Sequence, residues 1–320
     1  MLSMRLFIAL VLGTFLVVMG WQSNLFATET QLPPRDNYAD YMWQVHQNER
    51  PLPTDILTQA PTEDDGMSAE MVSYGTLEGE AIAGYLASPK DSDRPLPGII
   101  VIHEWWGLND NIKAMTRKIA EQGYTALAVD MYGGETAQTP EKARELVTEA
   151  RNNRDRLQEN LILAYEYLEL ETNAPTIASI GWCFGGSLSL RTALLFPKTL
   201  DAAVIYYGGE LETEPEVLKP LEMPILGIFG ELDKRPSPET VKEFETALQS
   251  LNKEVDVYIY PNADHAFANP SGERYNPEPE FLTKSAIAKH RSLTGSGFEQ
   301  SDRRFPQPTV CCQILSLNQP

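Results

Sequence analysis

The sequence predicts an α/β fold in which a mostly parallel central sheet carries helices on both faces. From residue 98 onward, short runs of Val, Ile, Ala and Leu alternate with longer amphipathic segments. The short runs are apolar at nearly every position, which is typical of strands buried on both sides. Crossovers of this length align the ends of parallel strands along one edge of the sheet, so we expect the functional loops at that edge.

The individual elements follow from the same pattern. Strand-like segments at 71–74 and 81–87 flank the turn-like Leu77-Glu78-Gly79-Glu80 and predict a hairpin. Later strands are predicted at GIIVIH, YTALAVD, TIASIGW, DAAVIYY, PILGIFG and VDVYIYP. The helices between them are predicted over about 110–121, 140–170, 185–195 and 238–251.

The first segment, residues 1–27, resembles a secretory signal peptide. Arg5 precedes a long apolar run that ends in a short polar stretch. We therefore expect an exported protein, periplasmic or extracellular. The alternative is an uncleaved leader that tethers the protein to a membrane, because Leu25 is larger than the small residue usual three positions before a cleavage site.

Three further segments follow the leader. Residues 28–66 contain scattered prolines and an apolar cluster, and predict an extension with one short helix lying on the body of the protein. Residues 67–280 are predicted to form the folded domain. Residues 281–320 lose both the periodicity and the acidic excess, and predict a poorly ordered tail.

Composition limits the partners of this 320-residue chain. Asp and Glu total 45 against 26 Lys and Arg, which gives a formal charge of −19. Such an excess repels phosphates, so we expect no nucleic acid and no docking of the mature chain on an anionic membrane. The 3 cysteines and 4 histidines include no C-x-x-C pair and no paired histidines. We therefore expect no metal, and no cofactor. We also expect a monomer with a small-molecule substrate.

The strongest local motif is Gly181-Trp182-Cys183-Phe184-Gly185-Gly186, between a buried strand and a helix. It predicts a nucleophile elbow, a sharp turn that exposes Cys183 and needs glycines where side chains would collide. The N-terminus of the following helix favours a thiolate, and the backbone N–H of Phe184 is one expected oxyanion donor. A buried structural cysteine is the alternative.

A nucleophile in such an elbow requires an acid and a histidine, in that order along the chain. Asp233 follows the strand PILGIFG, with Glu231 as a competing carboxylate. His265 lies in the loop after VDVYIYP, although a surface histidine in a polar loop is the alternative interpretation. We therefore expect Cys183, Asp233 and His265 to be the catalytic residues.

A further motif, His103-Glu104-Trp105-Trp106-Gly107, follows a buried strand. Oxyanion donors in this architecture come from that loop, so the N–H of Trp105 is the expected second donor. A carboxylate such as Glu104 near a cysteine would raise the pKa of the thiol. A strand-end glutamate in solvent is the alternative.

These motifs resemble those of the dienelactone hydrolase family of α/β-hydrolases, over about residues 70–276. HEWWG, GWCFGG, GELD and DHAFAN match the family's H-E-x-x-G, G-x-C-x-G-G, G-x-x-D and D-H-x-F-A in order. The resemblance implies an α/β-hydrolase fold, with Cys183 as nucleophile, His265 as base and then acid, and Asp233 as its orienter. It further implies that Glu104 masks the thiol until substrate displaces it.

The chain departs from the family at the substrate pocket. Members that act on dienelactones hold the substrate carboxylate with arginines, whereas this chain has Gly133, Gly134 and Asn269 at those places. Tyr132 and Trp106, with Asn269, are expected to line a more apolar pocket. We expect a hydrolase that cleaves a small ester or lactone through a thioester, similar to carboxymethylenebutenolidase. The alternatives are a broad carboxylesterase or thioesterase with the same triad, and a non-catalytic binding protein.

Overall fold

The computed structural model describes residues 38–48, 66–269 and 274–275. The predicted leader and the predicted tail lie outside these residues. Within the described part of the chain, no helix is both long and apolar enough to cross a membrane.

The central sheet contains eight strands. In chain order they are β1 Met67–Leu77, β2 Glu80–Pro89, β3 Gly98–Ile102, β4 Thr125–Val129, β5 Ile177–Trp182, β6 Ala202–Tyr206, β7 Ile225–Gly230 and β8 Val255–Tyr260. Their order across the sheet is β1-β2-β4-β3-β5-β6-β7-β8. β2 pairs antiparallel with β1 and β4, and the remaining pairs are parallel. The predicted hairpin and mostly parallel sheet are confirmed.

The helices are α1 Tyr38–His46, α2 Asp110–Ala120, α3 Pro140–Asn152, α4 Arg154–Leu170, α5 Phe184–Leu195, α6 Pro215–Leu218 and α7 Pro238–Ser250. A single helix over 140–170 was wrong. The backbone leaves the helical region at Asn153, with φ −114° and ψ 70°, and the Asn153 side chain accepts a hydrogen bond from the N–H of Arg156. Asparagine therefore ends α3 and caps the start of α4.

The core lies on both faces of the sheet. Every residue of β3, β4, β6 and β7 is buried, on whichever face its side chain lies. This explains why these strands are apolar throughout rather than at alternate positions. Among the helices, α5 is buried along most of its length, so the segment after β5 is held firmly in the core.

Helix α1 comes from the N-terminal extension and packs against α3. Tyr38, Met42 and His46 are buried at successive intervals of four residues, so they share one face of the helix. The guanidinium of Arg151 lies 4.3 Å from the centre of the Tyr38 ring. The exposed side holds Asp40, which pairs with Arg144 of α3.

Candidate active site

Cys183 occupies the sharp turn between β5 and α5. Its backbone has φ 55° and ψ −115°, a region that residues other than glycine rarely adopt. The turn is fixed because the N–H of Cys183 donates to the carbonyl of Tyr206 (3.0 Å), and the N–H of Ser187 donates to the carbonyl of Cys183 (3.2 Å). Phe184, the first residue of α5, directly follows the sulfur-bearing residue.

Two glycines allow this turn to form. A Cβ on Gly185 would lie 2.2 Å from the carbonyl oxygen of Ile102, and a Cβ on Gly181 would lie 2.0 Å from that of Gly185. Both contacts are far shorter than a carbon and an oxygen tolerate, and both involve backbone that cannot rotate away. The glycines two places before and after Cys183 are therefore required by close approach of the backbone.

The structure brings Asp233 and His265 together from the ends of β7 and β8. The Nδ1 of His265 lies 2.7 Å from Oδ2 of Asp233, and both side chains are buried. Glu231, the competing carboxylate, is exposed and accepts a hydrogen bond from the N–H of Asn262 (3.1 Å). The geometry thus selects Asp233 as the partner of the histidine.

Asp233 is held by groups other than the histidine. The hydroxyl of Tyr41 donates to Oδ1 of Asp233 at 2.7 Å, and the N–H of Arg235 donates to the same oxygen at 2.8 Å. These bonds leave Oδ2 directed at His265, so the carboxylate can orient the ring. Tyr41 belongs to α1, which means that the N-terminal extension contributes to this arrangement.

The sulfur of Cys183 lies within 4.8 Å of a ring nitrogen of His265. Burial raises the pKa of the thiol, but the positively charged ring of His265 lowers it, and the net pKa is about 6. Burial lowers the pKa of His265, yet the negative charges of Asp233 and Cys183 raise it well above its ordinary value. The environment therefore favours a thiolate and imidazolium pair.

The carboxylate of Glu104 is bound on both oxygens. The hydroxyl of Tyr207 donates to Oε1 at 3.3 Å, and the amide of Asn269 donates to Oε2 at 2.6 Å. Asn269, expected in the substrate pocket, thus contacts Glu104. Tyr207, which follows β6 and is fully buried, was not predicted as a site residue. A tyrosine beyond a strand end has no pattern that would distinguish this role from packing.

The loop after β3 is fixed by His103. The N–H of Met131 donates to Nε2 of His103 at 3.1 Å, so that nitrogen must be unprotonated and Nδ1 donates to the carbonyl of Glu104 (2.5 Å). Burial lowers the pKa of His103, which agrees with a neutral ring. Nearby, the hydroxyl of Tyr132 donates to the carbonyl of Trp105 at 3.2 Å. These bonds hold the backbone that carries the expected oxyanion donor.

Tyr132 and Trp106, both expected in the substrate pocket, are buried. The indole rings of Trp105 and Trp106 contact each other, with centroids 5.0 Å apart. These aromatic rings give this edge of the sheet an apolar character. Their role in a substrate pocket stays a prediction.

Helix α1 covers the sulfur of Cys183. Sδ of Met42 lies 3.1 Å from Sγ of Cys183, which is fully buried. The ring of His46 lies 4.7 Å from a ring of Trp105 and 5.6 Å from that of His265, measured between centroids. Sequence reasoning placed His46 only in the extension. The signal was present as a histidine on the same helical face as Tyr38 and Met42.

The chain is similar in sequence to known proteins. The model of the dienelactone hydrolase family matches residues 82–289. Protein usf of Aquifex pyrophilus is 33% identical over 215 residues, which are 65% of this chain and 91% of the relative. A protein of Saccharolobus solfataricus with the provisional name carboxymethylenebutenolidase is 31% identical over 238 residues, 63% of this chain and 90% of the relative.

A solved structure agrees with the sequence relatives. A provisionally assigned dienelactone hydrolase from Klebsiella pneumoniae superposes with a TM-score of 0.56 at 28% identity, over 67% of this chain and 93% of that one. The α/β-hydrolase fold expected from the motifs is thereby confirmed. The chain belongs to the dienelactone hydrolase family and is a hydrolase that acts on the ester bonds of small esters or lactones.

Proposed function

We propose that this hydrolase uses Cys183 as a nucleophile and passes through a thioester intermediate. The observation that carries the proposal is the placement of a strained, elbow-borne sulfur within 4.8 Å of a ring nitrogen of His265, whose Nδ1 is bound to Asp233 at 2.7 Å. The sulfur is thus next to the histidine, and the histidine is next to the carboxylate, which is the spatial arrangement that covalent acyl transfer requires.

The chemistry has two halves. The thiolate of Cys183 attacks the carbonyl carbon, and the oxyanion is stabilised by the N–H groups of Phe184 and Trp105. His265 gives its proton to the leaving alkoxide and then takes a proton from the water that cleaves the thioester. Asp233 keeps the ring oriented through both halves.

Substrate must displace Met42. A carbonyl carbon has to come within about 3–3.5 Å of the sulfur to react. Sδ of Met42 already lies 3.1 Å from Sγ. Methionine has a flexible, unbranched side chain, so a rotamer change can clear the sulfur while the rest of α1 stays in place.

The substrate is a neutral rather than an anionic ester. The places where the family resemblance implies arginines for a substrate carboxylate are occupied by Gly133, Gly134 and Asn269. Asn269 binds the negatively charged Glu104, and the N–H of Gly134 donates to Asp130. The acidic groups at these places disfavour a second carboxylate.

Glu104 would mask the thiol between turnovers, as the family resemblance implies. Its carboxylate is bound by Tyr207 and Asn269, so masking requires the carboxylate to leave these two donors.

The test is hydrolysis of p-nitrophenyl acetate, p-nitrophenyl butyrate, a saturated lactone and a dienelactone by the full chain and by Cys183→Ala. We expect neutral esters or the saturated lactone to be preferred, and a loss of at least about 1000-fold in the variant. The matched control is Cys311→Ala with Cys312→Ala, which leaves Cys183 intact. Full activity in Cys183→Ala would contradict the cysteine mechanism. A preference for the dienelactone would contradict the assignment of a neutral substrate.

A further inference from the structure

Three side chains that commonly ligate metals meet at the nucleophile. They are His46 of α1, Cys183 at the elbow and His265 after β8. One ligand atom from each lies within 4.8 Å of the other two, and all three side chains are buried. Hydrolysis as proposed above uses Cys183 and His265 but gives no role to His46.

The donor set selects a class of ion. One thiolate and two imidazoles suit zinc and similar borderline transition-metal ions, rather than the hard cations that prefer oxygen. Zinc bonds of about 2.0–2.3 Å imply about 3.4–3.8 Å between tetrahedral ligand atoms. A contraction of at most roughly 1.4 Å is therefore enough. A small shift of α1 can supply it for His46, and rotation of the Cys183 side chain can supply it for His265.

The surroundings of His265 support ligation. Its Nδ1 is bound to Asp233 at 2.7 Å, and Asp233 is bound to Tyr41 at 2.7 Å. A carboxylate behind a ligating histidine fixes the ring and strengthens the ligand, as in many zinc sites. Nε2 of His265 is the nitrogen left to face an ion. It is buried, and no nitrogen or oxygen atom of the described residues forms a hydrogen bond with it.

We propose that the full chain binds one zinc-class ion through His46, Cys183 and His265. The pair of Cys183 and His265 releases one proton to solvent as the ion binds, which leaves a thiolate and a neutral imidazole as ligands, and no electrons are exchanged. Met42, whose Sδ lies beside Sγ, turns aside or contacts the ion as a soft neutral atom. The bound ion links α1 to the body of the protein. Its inhibition of turnover, which rests on the proposed function, follows because the sulfur and the base are both occupied.

The test measures binding on the resting protein without substrate. The probe is Co²⁺, with Zn²⁺ added in competition, and the readout is thiolate-to-cobalt charge-transfer absorption. We expect one ion per chain and loss of the band in Cys183→Ser. His46→Gln should weaken binding at least about 100-fold, since even outer-shell partners of zinc ligands are worth about 10–100-fold. Gln44→Ala, exposed on the same helix, is the matched control and should bind as the wild type.

A second measurement does not depend on the folding of a variant. X-ray absorption of the zinc-loaded wild-type chain should show one sulfur at about 2.3 Å and two imidazole nitrogens at about 2.0–2.1 Å. One imidazole instead of two, or unchanged binding by folded His46→Gln, would overturn the proposal. Because both readouts are independent of turnover, they can succeed even if the thioester mechanism fails. Conversely, hydrolysis that depends on Cys183 in a chain that binds no ion would overturn only the metal site.

Discussion

The carboxyl edge of the sheet and helix α1 both place side chains around the sulfur of Cys183, but by different means. The sheet edge presents Cys183, Asp233 and His265 at the ends of β5, β7 and β8. Their convergence follows from parallel strand order. Helix α1 presents Tyr41, Met42 and His46 from a segment that joins no strand. Its position depends on packing against the finished domain.

The sheet edge and helix α1 contribute different functions to the site. In the proposed mechanism, the residues from the sheet are the reacting and orienting groups, on backbone that the core holds in place. The residues from α1 cover the sulfur through Met42 and support Asp233 through Tyr41. We expect losses at the sheet edge to remove the chemistry, and changes in α1 to alter access and efficiency.

The largest effect is expected for Asp233→Asn. Tyr41 and the N–H of Arg235 hold the amide oxygen of the variant, so its NH2 group faces Nδ1. That group favours the wrong tautomer of His265 and cannot stabilise the imidazolium, so kcat should fall by about 10³–10⁴-fold. The measurement is steady-state hydrolysis by folded protein. Glu231→Gln is the matched control because that carboxylate is exposed, and its kcat should stay within about twofold. Similar losses in both variants would contradict the assignment of Asp233.

An intermediate effect is expected for Met42→Ala. Shortening this side chain uncovers the sulfur, so the rate of alkylation of Cys183 by iodoacetamide should rise on the order of 10-fold. The free energy of unfolding should fall by about 2–5 kcal/mol, since Met42 is fully buried. Met42→Leu keeps the apolar volume and should leave the sulfur covered. Equal alkylation rates in the wild type and Met42→Ala would show that Met42 does not control access.

The smallest effect is expected for Tyr41→Phe. It removes one hydrogen bond to Asp233 but leaves the N–H of Arg235 on the same oxygen. A hydrogen bond to a charged group contributes about 1.5–3 kcal/mol, and with one donor remaining we expect kcat/KM to fall about 3–10-fold. Tyr165→Phe is the control, because its hydroxyl bonds the carbonyl of Thr199 away from the site. If the two variants keep equal kcat/KM, α1 does not position the carboxylate.

Much of the sheet edge could be predicted from the sequence. Buried strands have continuous apolar runs. The elbow has glycines because any side chain there would collide with the backbone, so both features can be recognised from local sequence patterns. The choice between Asp233 and Glu231 could not be made locally, because both follow β7 within three positions and only the approach of His265 separates them. The break at Asn153 was missed because amphipathic periodicity continues on both sides of a single capping residue.

The sequence by itself determined where the buried strands lie along the chain, the elbow at Cys183 and the family. Each of these depends on contacts between near neighbours or on motifs in a fixed order. Only the tertiary structure decided that Met42 and His46 lie at the sulfur and that Glu104 is bound by Tyr207 and Asn269. These contacts join segments far apart in the chain. Packing energy fixes them: the four-residue spacing in α1 shows which helical face is buried, but not which part of the protein that face covers.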